Sequence, residues 1–591
     1  MKSDGGKGLI GKVLSPVSPS FPVIAHPVPI MIRRPSYTLL LLLLSTALFA
    51  QQQPRPTRPT REGEIDNQEI TVEKSRKIEL PPANRLFNKI PSVKPSAEQR
   101  KLTYEFEDRK LTVGDPRINT TVLPPSTTQP DATPAYNNYV KLGAGNYSSF
   151  LGEGFVGINN LSNVALEGSV RHLSSAIGPV DGKNSAQSDT RVRVTGKLLT
   201  DAFKLQGDLG FDRNTYNFYG YSREYAAETG FNPELIKQRL NTINFRVGIE
   251  NANTENAIDY SLRTGITSLR DRFNAAETDW ATNFNGSLGI TDNVFALVAA
   301  DAYVTQRSDG SLVDNRNLFR VKPTFKYASS FLTVTAGINA VNQTDRRQGI
   351  NDTRAFPVLD IDVVPVSNIH FFAGIDGDIN RNTLRSLLLE NKWLAPQVVL
   401  ANTVKLMDIY GGSKGNLGGG FAYEGKVSFA RYRNFSTFNN TIPDTTKFFV
   451  LYDGGVSQVL TISGQIGYAQ KDKFRSTLKA DFFRYGLDRL EEAWGRPRLA
   501  GTWTNSYILN KKLFVTADLY FYEGIKNKNF TSNVTYTLKP IYDANLKIDY
   551  FLGKQVSAFV SLNNIFSQNY QRYLYYQVQG LNFLGGISYS F

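Results

Sequence analysis

Tyr542-Asp543-Ala544-Asn545-Leu546-Lys547-Ile548-Asp549-Tyr550-Phe551-Leu552 is the stretch that decides the fold class. Tyr542, Ala544, Leu546, Ile548, Tyr550 and Leu552 alternate with Asp543, Asn545, Lys547 and Asp549, with Phe551 the apolar exception. A period of two places one set of side chains on each side of an extended chain, whereas a helix would mix them around its axis. One face is apolar and aromatic, and the other carries the charge. The same alternation recurs at Leu513, Val515, Ala517, Leu519 and Phe521 against Thr516, Asp518 and Tyr520. It recurs again at Ile243, Phe245, Val247 and Ile249 against Asn244, Arg246 and Glu250.

A soluble sandwich also alternates, so further features must choose between the two. From Tyr139 to Phe591 no helical run interrupts the strands, which exceeds what one sandwich core normally holds. Connections alternate in length. Asn159–Asn163, Asp292-Asn293, Asn510–Lys512 and Gly553–Gln555 are short, while 175–189, 214–240 and 378–400 are long. Short turns at one end and long loops at the other are the habit of membrane barrels. The fold class is therefore all-β: a transmembrane antiparallel outer-membrane barrel over 138–591 with about 22 strands, an even number that returns the C-terminus to the side of the N-terminus. Strands are expected near 138–147, 149–158, 164–174, 190–200, 202–213, 241–250, 257–268, 279–290, 294–304, 317–328 and 331–341. The others fall near 355–364, 369–377, 401–412, 421–432, 457–470, 475–486, 498–508, 513–524, 541–552, 556–566 and 578–591. The stretch 446–470 reads as one long bulged strand or as two. With strands ~4.8 Å apart and tilted ~40°, such a barrel is on the order of 40 Å across, too wide for its own side chains to fill.

Composition agrees with this class and removes others. Among 591 residues there are 47 Gly, 29 Tyr and 37 Phe against 3 Met and no Cys. The absence of Cys excludes disulfides, zinc–thiolate sites and iron–sulfur clusters. With His26, His172 and His370 as the only histidines, no dense histidine metal site is expected, and no cofactor. The net charge of +14 is scattered, which argues against nucleic acid. Residues 1–30 fit no export signal. Arg33-Arg34, the apolar run Leu39–Leu44 and the small residues to Ala50 form a signal peptide over 31–50, and Met31 is the expected start. Of 27 prolines, 12 lie between Gln51 and Pro134, so 51–137 is expected to be an extended periplasmic segment.

The end of the chain carries a resemblance. Leu562-Asn563-Asn564-Ile565-Phe566, Tyr570, Gly580-Leu581-Asn582-Phe583 and Gly586-Ile587-Ser588-Tyr589-Ser590-Phe591 resemble the last two strands of TonB-dependent outer-membrane receptors. The match is specific over 562–591 and extends through the strand count to the barrel part only. It implies uptake of a scarce ligand across the outer membrane of a gram-negative bacterium, coupled to a periplasmic TonB-like energy transducer. Phe583, Ile587, Tyr589 and Phe591 resemble the signal that such barrels present to the barrel-assembly machinery, with outer-membrane lipid as the other partner. Glu69-Ile70-Thr71-Val72-Glu73 looks like the family's TonB-contacting strand, a short β-branched run able to add to a partner sheet. The family's plug domain has no counterpart pattern in 51–137. That departure keeps an alternative open: a passive porin-like barrel, or a structural, partner-binding one.

Catalytic chemistry is not expected, because no Ser/His/Asp set stands out and acidic residues alternate along strands as a polar lumen requires. Arg191, Arg193 and Lys197 share one predicted lumen face, a candidate attraction for anions set against a hydrated, charge-balanced wall. Gly411-Gly412 and Gly418–Gly420 lack a following helix and read as turn or bulge glycines. Trp280, Trp393, Trp494 and Trp503 are expected in interfacial girdles, with loop aromatics as the other use.

Overall fold

The computed structural model describes residues 138–591 apart from 159–162, 222–232, 253–257, 311–312, 367, 443, 472 and 531. The expected signal peptide, the proline-rich segment, the question of a plug within it and the candidate strand Glu69–Glu73 lie outside the described residues.

The chain forms one 22-stranded sheet closed on itself. The strands are β1 (Tyr139–Gly145), β2 (Ser149–Ile158), β3 (Val164–Ser175), β4 (Gln187–Leu199), β5 (Phe203–Asn217), β6 (Lys237–Asn251), β7 (Ile258–Arg270) and β8 (Ala276–Thr291). There follow β9 (Val294–Ser308), β10 (Val313–Ala328), β11 (Leu332–Asp345), β12 (Ile350–Val366), β13 (Ile369–Asn380), β14 (Thr403–Gly418), β15 (Phe421–Asn440) and β16 (Phe448–Gln470). The wall ends with β17 (Phe474–Gly486), β18 (Leu499–Leu509), β19 (Leu513–Glu523), β22 (Ile541–Phe551), β23 (Val556–Asn563) and β26 (Asn582–Ser590). Two small hairpins, β20 (Lys526–Asn529) with β21 (Val534–Thr537) and β24 (Gln571–Tyr573) with β25 (Tyr576–Gln577), stand in loops. Each wall strand pairs antiparallel with its chain neighbours. The seam closes through β1 and β26, with Tyr139 opposite Ser590, Leu142 opposite Ile587 and Gly145 opposite Leu584. Closure removes the sheet edges, whose bare N–H and C=O groups would each cost several kcal/mol in hydrocarbon.

The quoted stretch behaves as its alternation requires. Asp543, Lys547 and Asp549 are buried inside the wall, while Tyr542, Tyr550 and Leu552 face outward and are exposed. The outer surface is apolar around the barrel, at Val192, Val194, Ile243, Phe245, Ile338, Phe371, Ile409, Val427, Ile462 and Trp503 among others. A closed β-wall with an apolar outside is one of the two architectures that satisfy every backbone group in a bilayer. The inner wall is paired charge. Arg320 reaches both Asp301 and Asp378 at 2.7 Å, Lys547 meets Asp549 at 2.9 Å, and Lys405 meets Asp376 at 2.7 Å.

Each expected strand has its counterpart, but several run further at the long-loop end. β15 has 20 residues and β16 has 23, where ~9–11 cross a bilayer. β16 is a single strand, and the ladder it makes with β15 shifts register between Arg433 and Phe435. Beyond that point Phe435–Asn440 is buried on both faces, so the polar–apolar alternation that marks the lower wall stops. Gly418, Gly419 and Gly420 hold positive φ at the β14–β15 turn, and Gly411 and Gly412 lie within β14.

Candidate functional site

The long-loop mouth is crossed by its own loops. The segment 381–402 between β13 and β14 carries a short helix, Leu384–Glu390, whose start is fixed twice over. Thr383 and Ser386 form a capping box, and the Glu277 carboxylate at the start of β8 accepts from the N–H groups of Leu384 and Arg385 at 2.6 and 3.0 Å. The buried Leu384, Leu387 and Leu388 turn the helix toward an apolar cluster shared with Tyr216, Phe218, Ile236, Leu269, Trp393, Phe438, Phe448, Tyr573 and Tyr576. These residues come from both sides of the ring of strands.

Aromatic side chains do the joining. Trp393 stacks on Tyr576 with centroids 4.0 Å apart, and Tyr219 meets both edge-on at 5.1 and 4.9 Å. Tyr216 meets Trp393 at 5.3 Å, and Phe448 meets Tyr573 at 5.5 Å. Each phenol also finds an acceptor on another loop: Tyr576 donates to the Thr446 carbonyl, Tyr573 to that of Glu390 and Tyr216 to that of Lys392. A buried tyrosine without such a partner would lose about 1–3 kcal/mol.

Polar knots secure the rest of the lid. Arg316 in β10 donates to Asp345 at 2.9 Å, to the Asn382 carbonyl at 2.6 Å and to Asn402 at 2.7 Å, tying both ends of the 381–402 loop to the wall. Arg496, buried in the 487–498 loop, donates to the Ser436 carbonyl at 3.1 and 2.9 Å and pairs with Glu390. Burial pushes the Glu390 carboxyl above its ordinary range, against the pull of Arg496 and Arg572. Asn439 donates to the Lys528 carbonyl at 2.6 Å and accepts from the Lys528 N–H at 3.0 Å, bonding β15 to β20 as a neighbouring strand would.

Beneath the lid lies a chamber of about 880 Å³, walled by β2 to β6 on one side and by β19, β22, β23 and β26 on the other. Arg191 and Arg193 face it; Arg191 pairs with Asp189 at 2.9 Å and Arg193 with Asp212 at 2.6 Å. Lys197 lies on the same inner face but outside the chamber, paired with Glu167 at 3.0 Å. Phe583, Ile587, Tyr589 and Phe591 all point outward on the closing strand and its end, 44%, 61%, 49% and 49% exposed.

The four tryptophans divide. Trp280 and Trp503 stand on the outside, 51% and 45% exposed, as girdle residues do, but Trp393 and Trp494 are buried in the lid. A loop tryptophan carries no periodicity, so the sequence alone does not separate a girdle ring from a lid ring. The loops 441–447, 487–498 and 524–540 carry no periodicity that marks them as lid, and the residues of 564–581 that carry the family resemblance do not mark that loop as lid either. The doublet Tyr575-Tyr576 within 564–581 is the signal that a girdle reading absorbs.

No protein-family model and no curated protein matches the chain. Solved structures do match in fold. The FrpB iron transporter from Neisseria meningitidis superposes with a TM-score of 0.61 at 11% identity, covering 78% of this chain and 82% of that one. The ferripyoverdine receptor of the Pseudomonas aeruginosa outer membrane gives 0.58 at 12% identity, over 78% and 73%. The ferric-catecholate import receptor Fiu of E. coli K12 gives 0.58 at 10% identity, over 78% and 82%. The chain thus has the barrel fold of outer-membrane receptors, the class that its closing residues resemble.

Proposed function

We propose that this chain is a TonB-dependent-receptor-like barrel that takes up a ligand through the outer membrane, with its long loops outside the cell and both termini in the periplasm. The observation that carries the reading is the lid. The rings of Tyr219, Trp393 and Tyr576, from three different loops, meet over the lumen, and a mouth crossed in this way suits a gated receptor better than a free-diffusion pore. The solved receptors of the same fold support it: FrpB is an iron transporter, the Pseudomonas aeruginosa receptor is bound to ferripyoverdine, and Fiu is a ferric-catecholate import receptor. Opening then requires work on the barrel from the periplasmic side, for which Glu69–Glu73 is the candidate contact with a TonB-like domain.

Planar-bilayer recording of the full chain tests the reading. A gated receptor gives little steady conductance, rising when loop 381–402 is deleted. A large, steady conductance from the intact chain would replace the proposal with the passive barrel.

A further inference from the structure

We infer that the chamber beneath the lid is a binding site for a multiply charged oxyanion, a small molecule bearing several carboxylate or phosphate groups. The inference deepens the uptake reading by naming a ligand class, and it rests on that reading for its biological sense.

Charge is the first ground. Arg171, Arg191, Arg193, Arg385, Lys392 and Arg572 line the chamber, against Asp189 and Asp212 as its only carboxylates among the described residues. Asp189 and Asp212 are committed to Arg191 and Arg193, and Arg171 has Glu153 behind it at 3.7 Å. Among the described residues the surplus therefore sits in the roof, on Arg385 and Arg572, both contributed by lid loops, while Lys392 beside them donates to Gln187 at 3.0 Å. Elsewhere in the lumen, cations such as Arg320 and Lys405 are matched by carboxylates at contact distance.

Unused donor capacity is the second ground. Arg385 spends its backbone N–H on Glu277, and its guanidinium makes no hydrogen bond or ion pair with a described residue. Arg572 donates from Nη1 to the Gly495 carbonyl at 3.0 Å and lies over the Tyr573 ring at 4.9 Å. Its Nη2 is buried with no hydrogen-bond partner among the described residues. Glu390 is the carboxylate nearest in effect, but it is held by Arg496 outside the chamber. A guanidinium presents its donors in a planar fork that fits carboxylate or phosphate oxygens two at a time. A concave, one-signed surface with low-dielectric walls concentrates the opposite charge. The structure thus offers the open fork of Arg385 under a roof that also carries the Arg572 charge, with space for a small solute below.

The test is equilibrium binding by the full-length chain in detergent micelles, at ionic strength fixed with chloride, using citrate and inorganic tripolyphosphate as probes. Saturable binding of either is expected, and the stronger of the two assigns carboxylate or phosphate as the recognised group. Arg385→Ala with Arg572→Ala should weaken it about tenfold or more, the loss expected for charge-assisted hydrogen bonds. Arg385→Glu alone, which breaks no bond in the described structure, should abolish it. Lys414→Ala, a paired lumen cation outside the chamber, should leave it unchanged. Heat-modifiable gel migration verifies that each variant is folded. No saturable binding of either probe, or equal binding by folded Arg385→Glu, would overturn the site. Binding without transport would instead count against uptake and leave the site standing.

Discussion

The indole of Trp393 and the phenol ring of Tyr576 lie 4.0 Å apart at 19°, joining the β13–β14 loop to the β23–β26 loop over the mouth of the barrel. Both rings are almost wholly buried, although neither belongs to the barrel wall. The apolar area they remove from water is area that single loops would expose. This contact accounts for a lid formed without a continuous sheet beneath it.

Trp393→Ala should therefore open the lid while leaving the wall intact. Removing a buried tryptophan costs about 3–5 kcal/mol, which exceeds what a few loop hydrogen bonds can replace. The expected outcome is higher and noisier conductance and rapid cleavage of 381–402 by protease, with heat-modifiable migration unchanged. Tyr576→Phe keeps the ring and loses the bond to the Thr446 carbonyl, so its effect should be smaller and in the same direction.

Closure of the wall depends on a glycine. A Cβ on Gly586 would stand 2.0 Å from the Leu142 carbonyl oxygen across the β1–β26 seam, a backbone atom that a rotamer change cannot move away. Gly586→Val should prevent the seam from closing, and the folded, fast-migrating form should be lost. Gly168 lies in β3 with nothing within 4 Å of the corresponding position, so Gly168→Ala should fold as the wild type does. Equal folding yields for the two variants would refute this account of the seam.

These two variants also mark where the sequence is informative. In the lower wall every second side chain meets lipid, so a local period of two is imposed and the strands can be read one by one. Phe435–Asn440 shows the limit, since loops pack against both faces there and the strand continues without its signal. The lid is further out of reach. Trp393 and Tyr576 meet because two loops converge across the mouth, a relation that no spacing in the sequence encodes. Of the basic face, Arg191 and Arg193 were legible as lumen residues because they share a strand parity. Arg385, Lys392 and Arg572 were not, because their loops have none.

Acidity should act on the lid through Glu390. Its carboxyl is raised by burial, so the folded chain holds the proton more tightly than the unfolded chain. The corresponding stability is fully present below the ordinary glutamate value of 4.5 and is lost as pH rises through the raised folded value. Protease resistance of 381–402 should accordingly fall as pH is raised from about 4.5 toward neutrality. Glu390→Gln, which mimics the protonated form, should flatten that dependence. A wild-type lid whose resistance rises over the same window would contradict the assignment.

The coupling strand makes the last prediction, and it separates an energised receptor from a passive barrel. If Glu69-Ile70-Thr71-Val72-Glu73 adds to the sheet of a TonB-like domain, its affinity comes mainly from backbone hydrogen bonds. Proline at Thr71 removes a donor and fixes φ, so Thr71→Pro should abolish binding. Alanine keeps the N–H and the extended backbone, and Thr71→Ala should bind nearly as the wild type does. The measurement is titration of a 64–80 peptide, and of both variants, against the purified C-terminal domain of a cognate transducer. Equal binding by the proline variant would show that side chains, not strand addition, make the contact. No binding by the wild-type peptide would leave the region as a tether, and the weight would then pass to the passive or partner-binding barrel.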